Sequence, residues 1–321
     1  VKRKSQKVVV IGDVILDEYV YCKRRGLSAE TPTIVVEKER TETFVGGAGL
    51  VVRNLLRLGD EVTLFTIADR SLKNLFFNSS DRIDELEGLR LASYFVVYPD
   101  CPQDWTITKK TRFFAEGYKM FQVDELNKGT WNDDLVKSFL KNLDNHLSAN
   151  AADAIVMCDN RHGMFSEDVV KGIIQLSHQY SILTFVDSQI SAMNGSNHDM
   201  YSGVDLMLMN ENELEKAFSK HRIAINVSRD YKAKRLAEQF HSDIVLKLGS
   251  EGVKTFSCDS RSHTSRGFKV DVKDTCGAGD AFLAALVHSG DLTFANKWAA
   301  LSTTYVGTVV PKNEDLRKVK R

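Results

Sequence analysis

The chain has 321 residues, 43% of them hydrophobic, enough for a packed core and against a disordered chain. Lys+Arg and Asp+Glu both number 43, so the formal net charge is zero. No field of one sign recommends a nucleic acid or a membrane as partner, and the length suits one large α/β domain or two small ones.

The chain opens on Val1-Lys2-Arg3-Lys4-Ser5-Gln6-Lys7, which is basic, but the apolar run after it ends at Gly12-Asp13. That is too short for a signal peptide or a membrane span. Lys7 to Ile11 reads as a buried first strand. Tyr19 to Cys22 and Thr33 to Glu39 alternate and predict strands of a half-exposed sheet. Gly46-Gly47-Ala48-Gly49 opens a helix that carries Leu50, Val51, Asn54, Leu55 and Leu58 and stops at Gly59. Glu61 to Thr66 is the next strand, and residues 70 to 92 read as irregular or helical. Phe95 to Tyr98, Thr106 to Ala115 and Lys119 to Val123 alternate again and predict paired strands.

From Trp131 onward strand and helix take turns. Helices are predicted over Asp133–Leu147, Ser166–Tyr180, Glu211–Phe218 and Tyr231–Phe240, and strands over Ala154–Cys158, Ile182–Val186, Leu206–Met209 and Ile244–Leu248. This rhythm implies an α/β fold with a mostly parallel sheet covered on both faces by helices. The patches near 13–44 and 92–123 break the rhythm and read as a small sheet over one end of the body. The tail from Lys312 to Arg321 reads as a solvated end.

The cysteines stand at 22, 101, 158, 258 and 276, an odd count with no CxxC pair or Cys/His cluster of metal spacing. A reduced, cytoplasmic protein fits that usage. There is no Gly-x-x-x-x-Gly-Lys-Ser/Thr, no Gly-x-Gly-x-x-Gly after the first strand and no Gly-x-Ser-x-Gly, which counts against P-loop enzymes, dinucleotide oxidoreductases and α/β-hydrolases. Of the eight histidines only His162 falls in a loop after a sheet strand, where ligands bind.

The chemistry concentrates in Asp274-Thr275-Cys276-Gly277-Ala278-Gly279-Asp280-Ala281-Phe282, followed by an apolar helix from Ala281 to His288. Small residues at a helix start leave backbone N–H groups uncovered where the helix dipole is positive. Such a turn suits phosphate oxygens that gain charge during transfer. Asp280, just inside that start, is placed to take a proton from an attacking hydroxyl. Cys276 reads as a small space-filler.

This string resembles the signature of the ribokinase/PfkB carbohydrate kinases, and other segments resemble that family in the expected order. Gly12-Asp13-Val14-Ile15-Leu16-Asp17 is similar to its first-strand motif, Gly46-Gly47 to its diglycine, Asn210-Glu211-Asn212-Glu213 to its Asn-x-x-Glu, and Leu248-Gly249 with Gly252 to its nucleotide-side turn. The resemblance runs from about residue 7 to 310 and implies a ribokinase-like domain over residues 1–321, with lid segments near 13–44 and 92–123.

Within the family, Thr108-Lys109-Lys110-Thr111-Arg112 with Gln122-Val123-Asp124-Glu125, and Phe294-Ala295-Asn296 with Gly307-Thr308, are similar to the D-glycero-β-D-manno-heptose 7-phosphate kinases of lipopolysaccharide-precursor synthesis. The resemblance implies transfer of the γ-phosphate of MgATP, with or without a monovalent cation, to the anomeric hydroxyl of that sugar phosphate. Asp280 is then the base, with Gly277, Ala278 and Gly279 as the anion hole. Asp13, Asp17, Gly46, Gly47, Lys110, Arg112, Asp159 and Arg161 stand on the sugar side. Asn210, Lys247, Gly249, Gly252, Thr275 and Asn296 stand on the nucleotide side, and Glu213 meets Mg²⁺ through water.

Three departures fall on the sugar side: Leu50 where the family carries Asn, Asn160-Arg161-His162-Gly163 where it carries Lys before the glycine, and Asp187-Ser188-Gln189 where it carries Asp-Pro-Lys. They keep open a kinase for another sugar or a nucleoside, and a catalytically silent sugar-phosphate-binding protein. The His-x-Gly-His motif of the nucleotidyltransferase half of bifunctional relatives is absent from the sequence. A homodimer is expected through apolar lid edges, with Tyr19, Val20, Tyr21, Phe113 and Phe114 at the interface.

Overall fold

Along the first strand, β1 (Lys7–Gly12), successive side chains part to opposite faces of a sheet, and both faces are buried. Val9 and Ile11 join one core cluster, Val8 and Val10 another. The computed structural model describes residues 5–67, 95–97, 105–190, 195–220, 227–259 and 261–320.

The other strands of the large sheet are β4 (Glu61–Thr66), β5 (Phe95–Val97), β8 (Ala154–Asp159), β9 (Leu183–Ser188), β10 (Leu206–Asn210), β11 (Asp243–Lys247), β12 (Gly252–Phe256) and β13 (Ser262–Arg266). Their order is β13-β12-β11-β10-β9-β8-β1-β4-β5. All pairs from β11 to β5 are parallel, while β12 and β13 run antiparallel. Helices α1 (Ala48–Leu58), α6 (Ala278–Ser289) and α7 (Leu292–Ser302) contribute to the core on the Val8 side. Helices α2 (Asp133–Ala149), α3 (Glu167–Tyr180), α4 (Glu211–Lys220) and α5 (Arg229–Phe240) contribute to that on the Val9 side. The fold is the α/β architecture expected.

The second sheet has the order β3-β2-β6-β7, built from β2 (Val14–Leu27), β3 (Ile34–Gly47), β6 (Thr108–Ala115) and β7 (Tyr118–Glu125). Strands β2 and β3 are 14 residues each, far longer than the alternating stretches within them, because polar residues such as Lys23, Arg24, Arg40, Thr41, Glu42 and Thr43 continue the pairing where no apolar period marks it.

Two expectations are corrected here. Phe95 to Val97 pairs with β4 in the large sheet rather than in the small one; three residues are too short to show which sheet a strand joins. Tyr98 and residues 70–92 lie outside the described residues. Tyr19 and Val20 are buried within the chain at 1% and 4% exposure, so neither is free to meet a second copy. The exposed apolar side chains of the small sheet are instead at the far end of β2 and on the outer strands: Leu27, Ile34, Val35, Tyr118, Met120, Phe121 and Val123. Among the described residues no helix is long and apolar enough to cross a membrane.

Candidate active site

Parallel register gathers the chemistry-bearing residues at one edge of the sheet. Asp13 follows β1, Asp159 ends β8, Asp187 is the penultimate residue of β9, Asn210 ends β10 and Lys247 ends β11. Cys158 is level with Gly12 and Asp187, and Asn210 with Lys247. This is the carboxyl edge of the strands, where open α/β sheets bind ligands.

Helix starts divide into two kinds. Asn132, Ser166, Ser228 and Asp291 cap α2, α3, α5 and α7 by accepting from N–H groups of the first turn. Helices α1 and α6 start on glycines with no side-chain cap, Gly47 at φ 58° and Gly277 at φ 78°. The Ala278 N–H donates to the Thr275 carbonyl at 3.3 Å. The N–H groups of Gly277 and Gly279 find no partner among the described residues. Two amides and the positive end of the dipole are thus open to an anion. A Cβ on Gly277 would stand 2.5 Å from Cδ2 of Leu50, so Leu50 packs directly beneath the turn.

Two clefts meet there. The first, of about 320 Å³, is lined by Gly249, Ser250, Gly252, Thr275, Phe282 and Asn296 together with apolar residues. Gly252 has φ 105°, and a Cβ on it would lie 2.1 Å from the Ser265 carbonyl oxygen, so only glycine fits the turn. Asn296 donates to the Arg266 carbonyl at 2.8 Å and ties α7 to β13. The second cleft, of about 330 Å³, is polar and is lined by Asn160, Asp187, Asn210, Glu213, Gly277 and Asp280 among others. Lys247 and Gly279 line both.

Asn210 and Glu213 form a reciprocal cap on α4: Asn210 Oδ1 accepts from the Glu213 N–H at 2.9 Å, and Glu213 Oε2 accepts from the Asn210 N–H at 2.7 Å. Lys247 Nζ donates to both oxygens of Asp187, at 2.9 and 2.7 Å. Burial, then the Asp187 carboxylate, pushes Asp280 up to about 8 against the pull of Lys247. Burial raises Glu213 to about 7, with Lys247 opposing and Asp187 assisting. Burial lowers Lys247, but Asp187 and Glu213 outweigh it and hold the ammonium above the usual lysine range. Three carboxyls thus face the Lys247 ammonium, with Lys110 a weaker second charge on Asp280, a site short of positive charge.

On the other side, Asp17 pairs with Arg112, whose guanidinium lies 5.4 Å over the Tyr19 ring. A Cβ on Gly46 would stand 2.3 Å from Asp17 Oδ2, and one on Gly47 2.4 Å from the Asp13 carbonyl oxygen, so the diglycine lets the chain lie against the Asp17 carboxylate and the Asp13 backbone. Lys110 makes no ion pair with the described residues, yet its charge lowers both Asp17 and Asp280, so it faces the same space. Asp13 turns inward: it accepts from the N–H groups of Met164 and His162 at 3.0 and 3.4 Å, and burial followed by Asp159 pushes it up to about 7. Asp159 is also enclosed. Its Oδ2 accepts from Ser188, Asn197 and Tyr201, and its Oδ1 from the Arg161 N–H. Arg161, at φ 62°, sends its guanidinium to the Gly195 carbonyl. These three residues hold the loop from 159 to 164 in place. Burial lowers His162 to about 4, and its Nε2 has no partner among the described residues.

Sequence reading counted Asp187 only within a sugar-side segment and missed its pairing with Lys247, although an acid at the carboxyl end of a parallel strand was the available signal. It also missed the Tyr19 hydroxyl, which reaches from β2 to Asp274 at 3.3 Å, while Asp274 accepts from the N–H groups of Cys276 and Gly307. The small sheet therefore touches the loop that sets the α6 start. Burial lifts the Cys276 thiol to about 11, in line with a space-filling role.

Comparison with known proteins gives one family. The sequence profile described as pfkB family carbohydrate kinase matches residues 5–315. Among curated proteins, the bifunctional protein HldE of Syntrophotalea carbinolica is 28% identical over 319 residues, covering 96% of this chain and 60% of that protein. The protein of the same name from Helicobacter pylori is 27% identical over 320 residues, covering 97% and 66%. The chain thus spans somewhat under two thirds of the length of these relatives. Among solved structures, Escherichia coli phosphofructokinase-2 in complex with substrates and products superposes with TM-score 0.73 at 16% identity, covering 98% of both chains. Arabidopsis thaliana ribokinase complexed with ribose and ATP superposes with TM-score 0.69 at 17% identity, covering 98% of both.

Proposed function

We propose, from the premise that this chain belongs to the pfkB family of carbohydrate kinases and so is a phosphotransferase, that it transfers the γ-phosphate of MgATP to the anomeric hydroxyl of a heptose 7-phosphate in the cytoplasm, for a surface-glycan precursor such as that of lipopolysaccharide. The observation that carries this reading is the uncapped start of α6, with Asp280 in its first turn, at the meeting of the two clefts. Adenosine lies in the first cleft against Gly249, Gly252, Thr275 and Asn296, and its terminal phosphate reaches the Gly277 and Gly279 amides.

The acceptor hydroxyl gives its proton to Asp280 as its oxygen bonds to the γ-phosphorus. The bond from that phosphorus to the bridging oxygen breaks, and ADP leaves. A divalent cation fits the charge deficit of Asp187, Glu213 and Asp280. No three acidic, imidazole or thiol groups among the described residues converge to hold one unaided. Glu213 and Asn210 would hold Mg²⁺ through water, and the ion would supply neutralisation of phosphate charge.

On the sugar side Asp17, held by Arg112, receives sugar hydroxyls, Gly46 and Gly47 admit the ring close to backbone, and Lys110 provides the positive charge that favours a phosphorylated acceptor. The small sheet acts as the lid, and its exposed Tyr118, Met120, Phe121 and Val123 pack against a second copy. ADP release measured over a panel of sugars and sugar phosphates tests the reading. Turnover favouring heptose 7-phosphate supports it. Binding of sugar phosphates with no turnover of any of them would favour the silent binder.

A further inference from the structure

Lys247 and Gly279 are the two residues that line both clefts. We infer that Lys247 is a catalytic residue whose ammonium follows the phosphoryl group from nucleotide to acceptor, with Asp187 as the positioning residue that aims it. The inference rests on the kinase reading and assigns the charge that moves with the transferred group.

The geometry supports this in three ways. An ammonium has three N–H donors, and two are used on Asp187, at 2.9 and 2.7 Å. The third has no partner among the described residues. Nζ also stands 3.5 Å from where a Cβ on Gly279 would be, so it lies beside the open amides of the α6 start and converges with them on one anion. Only 18% of the Lys247 side chain and 14% of that of Asp187 is exposed. Desolvating such a pair is expensive, and for stability alone an apolar pair would serve as well. A pair at the junction of two clefts, with one donor left over, is arranged for a ligand. During transfer, charge spreads over the equatorial oxygens of the phosphoryl group, and a compact ammonium can stay in contact as the group moves.

A structural rival is that Lys247 only neutralises Asp187. Three variants separate the two: Lys247→Met, Asp187→Asn and the double variant, each checked for folding by circular dichroism. Nucleotide affinity is measured with Mg²⁺ and either ADP or adenosine 5′-(β,γ-imido)triphosphate, and turnover by ADP release. Lys247→Met is expected to lower kcat about 10²–10³-fold, as for loss of one preorganised donor to a developing anion. It should weaken the imido triphosphate about tenfold and leave ADP within about twofold, since only the former carries the terminal phosphate. The double variant should stay within about tenfold of Lys247→Met.

Recovery of the double variant to near wild-type turnover, or equal losses for the two nucleotides, would overturn the inference and leave the kinase reading standing. A folded wild type that binds neither nucleotide would overturn both.

Discussion

The guanidinium of Arg112, on β6, closes an ion pair on the carboxylate of Asp17, on β2, and both side chains are largely buried. Removing one partner of such a pair strands the other charge, which costs about 3–5 kcal/mol. Arg112→Ala should therefore lower the melting temperature and raise the acceptor KM about 10- to 100-fold for phosphorylated and unphosphorylated sugars alike. Lys110, which has no ion pair among the described residues, should read the phosphate: Lys110→Ala should raise KM only for the phosphorylated acceptor. The reverse pattern in the KM values would put the phosphate on Arg112.

Gly277 and Gly279 should fail for different reasons. At Gly277 the backbone is left-handed and an added Cβ meets Leu50, so Gly277→Ala should lower both melting temperature and turnover. At Gly279 the nearest atom to an added Cβ is Lys247 Nζ at 3.5 Å, an ordinary contact. Gly279→Ala should fold as well as the wild type or gain about 0.5–1 kcal/mol from helix propensity. It should still lose turnover, because the methyl group sits where the clefts join. Melting curves and ADP release on the two variants check this, and a stable, active Gly279→Ala would remove the anion-hole assignment.

The raised carboxyls should lower stability as pH rises from about 4 to about 8, opposed below about 6.5 by His162 and His198, which burial lowers to about 4. Asp280 is pushed up to about 8, and Asp13 and Glu213 to about 7. Between its unfolded and folded pKa each group keeps its proton in the folded chain and has lost it in the unfolded one. The folded state therefore binds more protons, and raising the pH favours unfolding. Asp280→Asn removes the largest of these penalties and should be more resistant to urea than the wild type, with the gap widening from pH 5 to pH 8. A gap that narrowed over that range would contradict the burial of an ionisable Asp280.

The rhythm of the body was legible because its strands are short apolar runs, buried on both faces, that alternate with longer helical segments. The Gly-Ala-Gly turn was legible because small residues at a helix start have few other uses. The β12–β13 hairpin was not, since Ser262-His263-Thr264-Ser265-Arg266 pairs at a sheet edge without an apolar residue. Nor was the partner of Arg112. Spacing puts Lys110 and Arg112 on one face, but Asp17 stands level with Lys110 in the register, and the pair forms on the diagonal. The same limit misplaced the apolar surface: alternation along β2 tells which residues share a face, not that Tyr19 is covered by Phe44 and Phe114.

A second copy packing on the exposed Tyr118, Met120, Phe121 and Val123 should give a dimer mass in light scattering at micromolar concentration. Tyr118→Ser with Phe121→Ser should return it to the monomer mass with the fold intact. A monomeric wild type at that concentration would remove the dimer.

The base assigned to Asp280 is tested most directly by the turnover of Asp280→Asn on whichever acceptor the wild type uses best. The account predicts a kcat lower by about 10²–10⁴, with the dissociation constant for MgATP within about threefold of the wild type. An Asp280→Asn enzyme that turned over at near wild-type rate would contradict it.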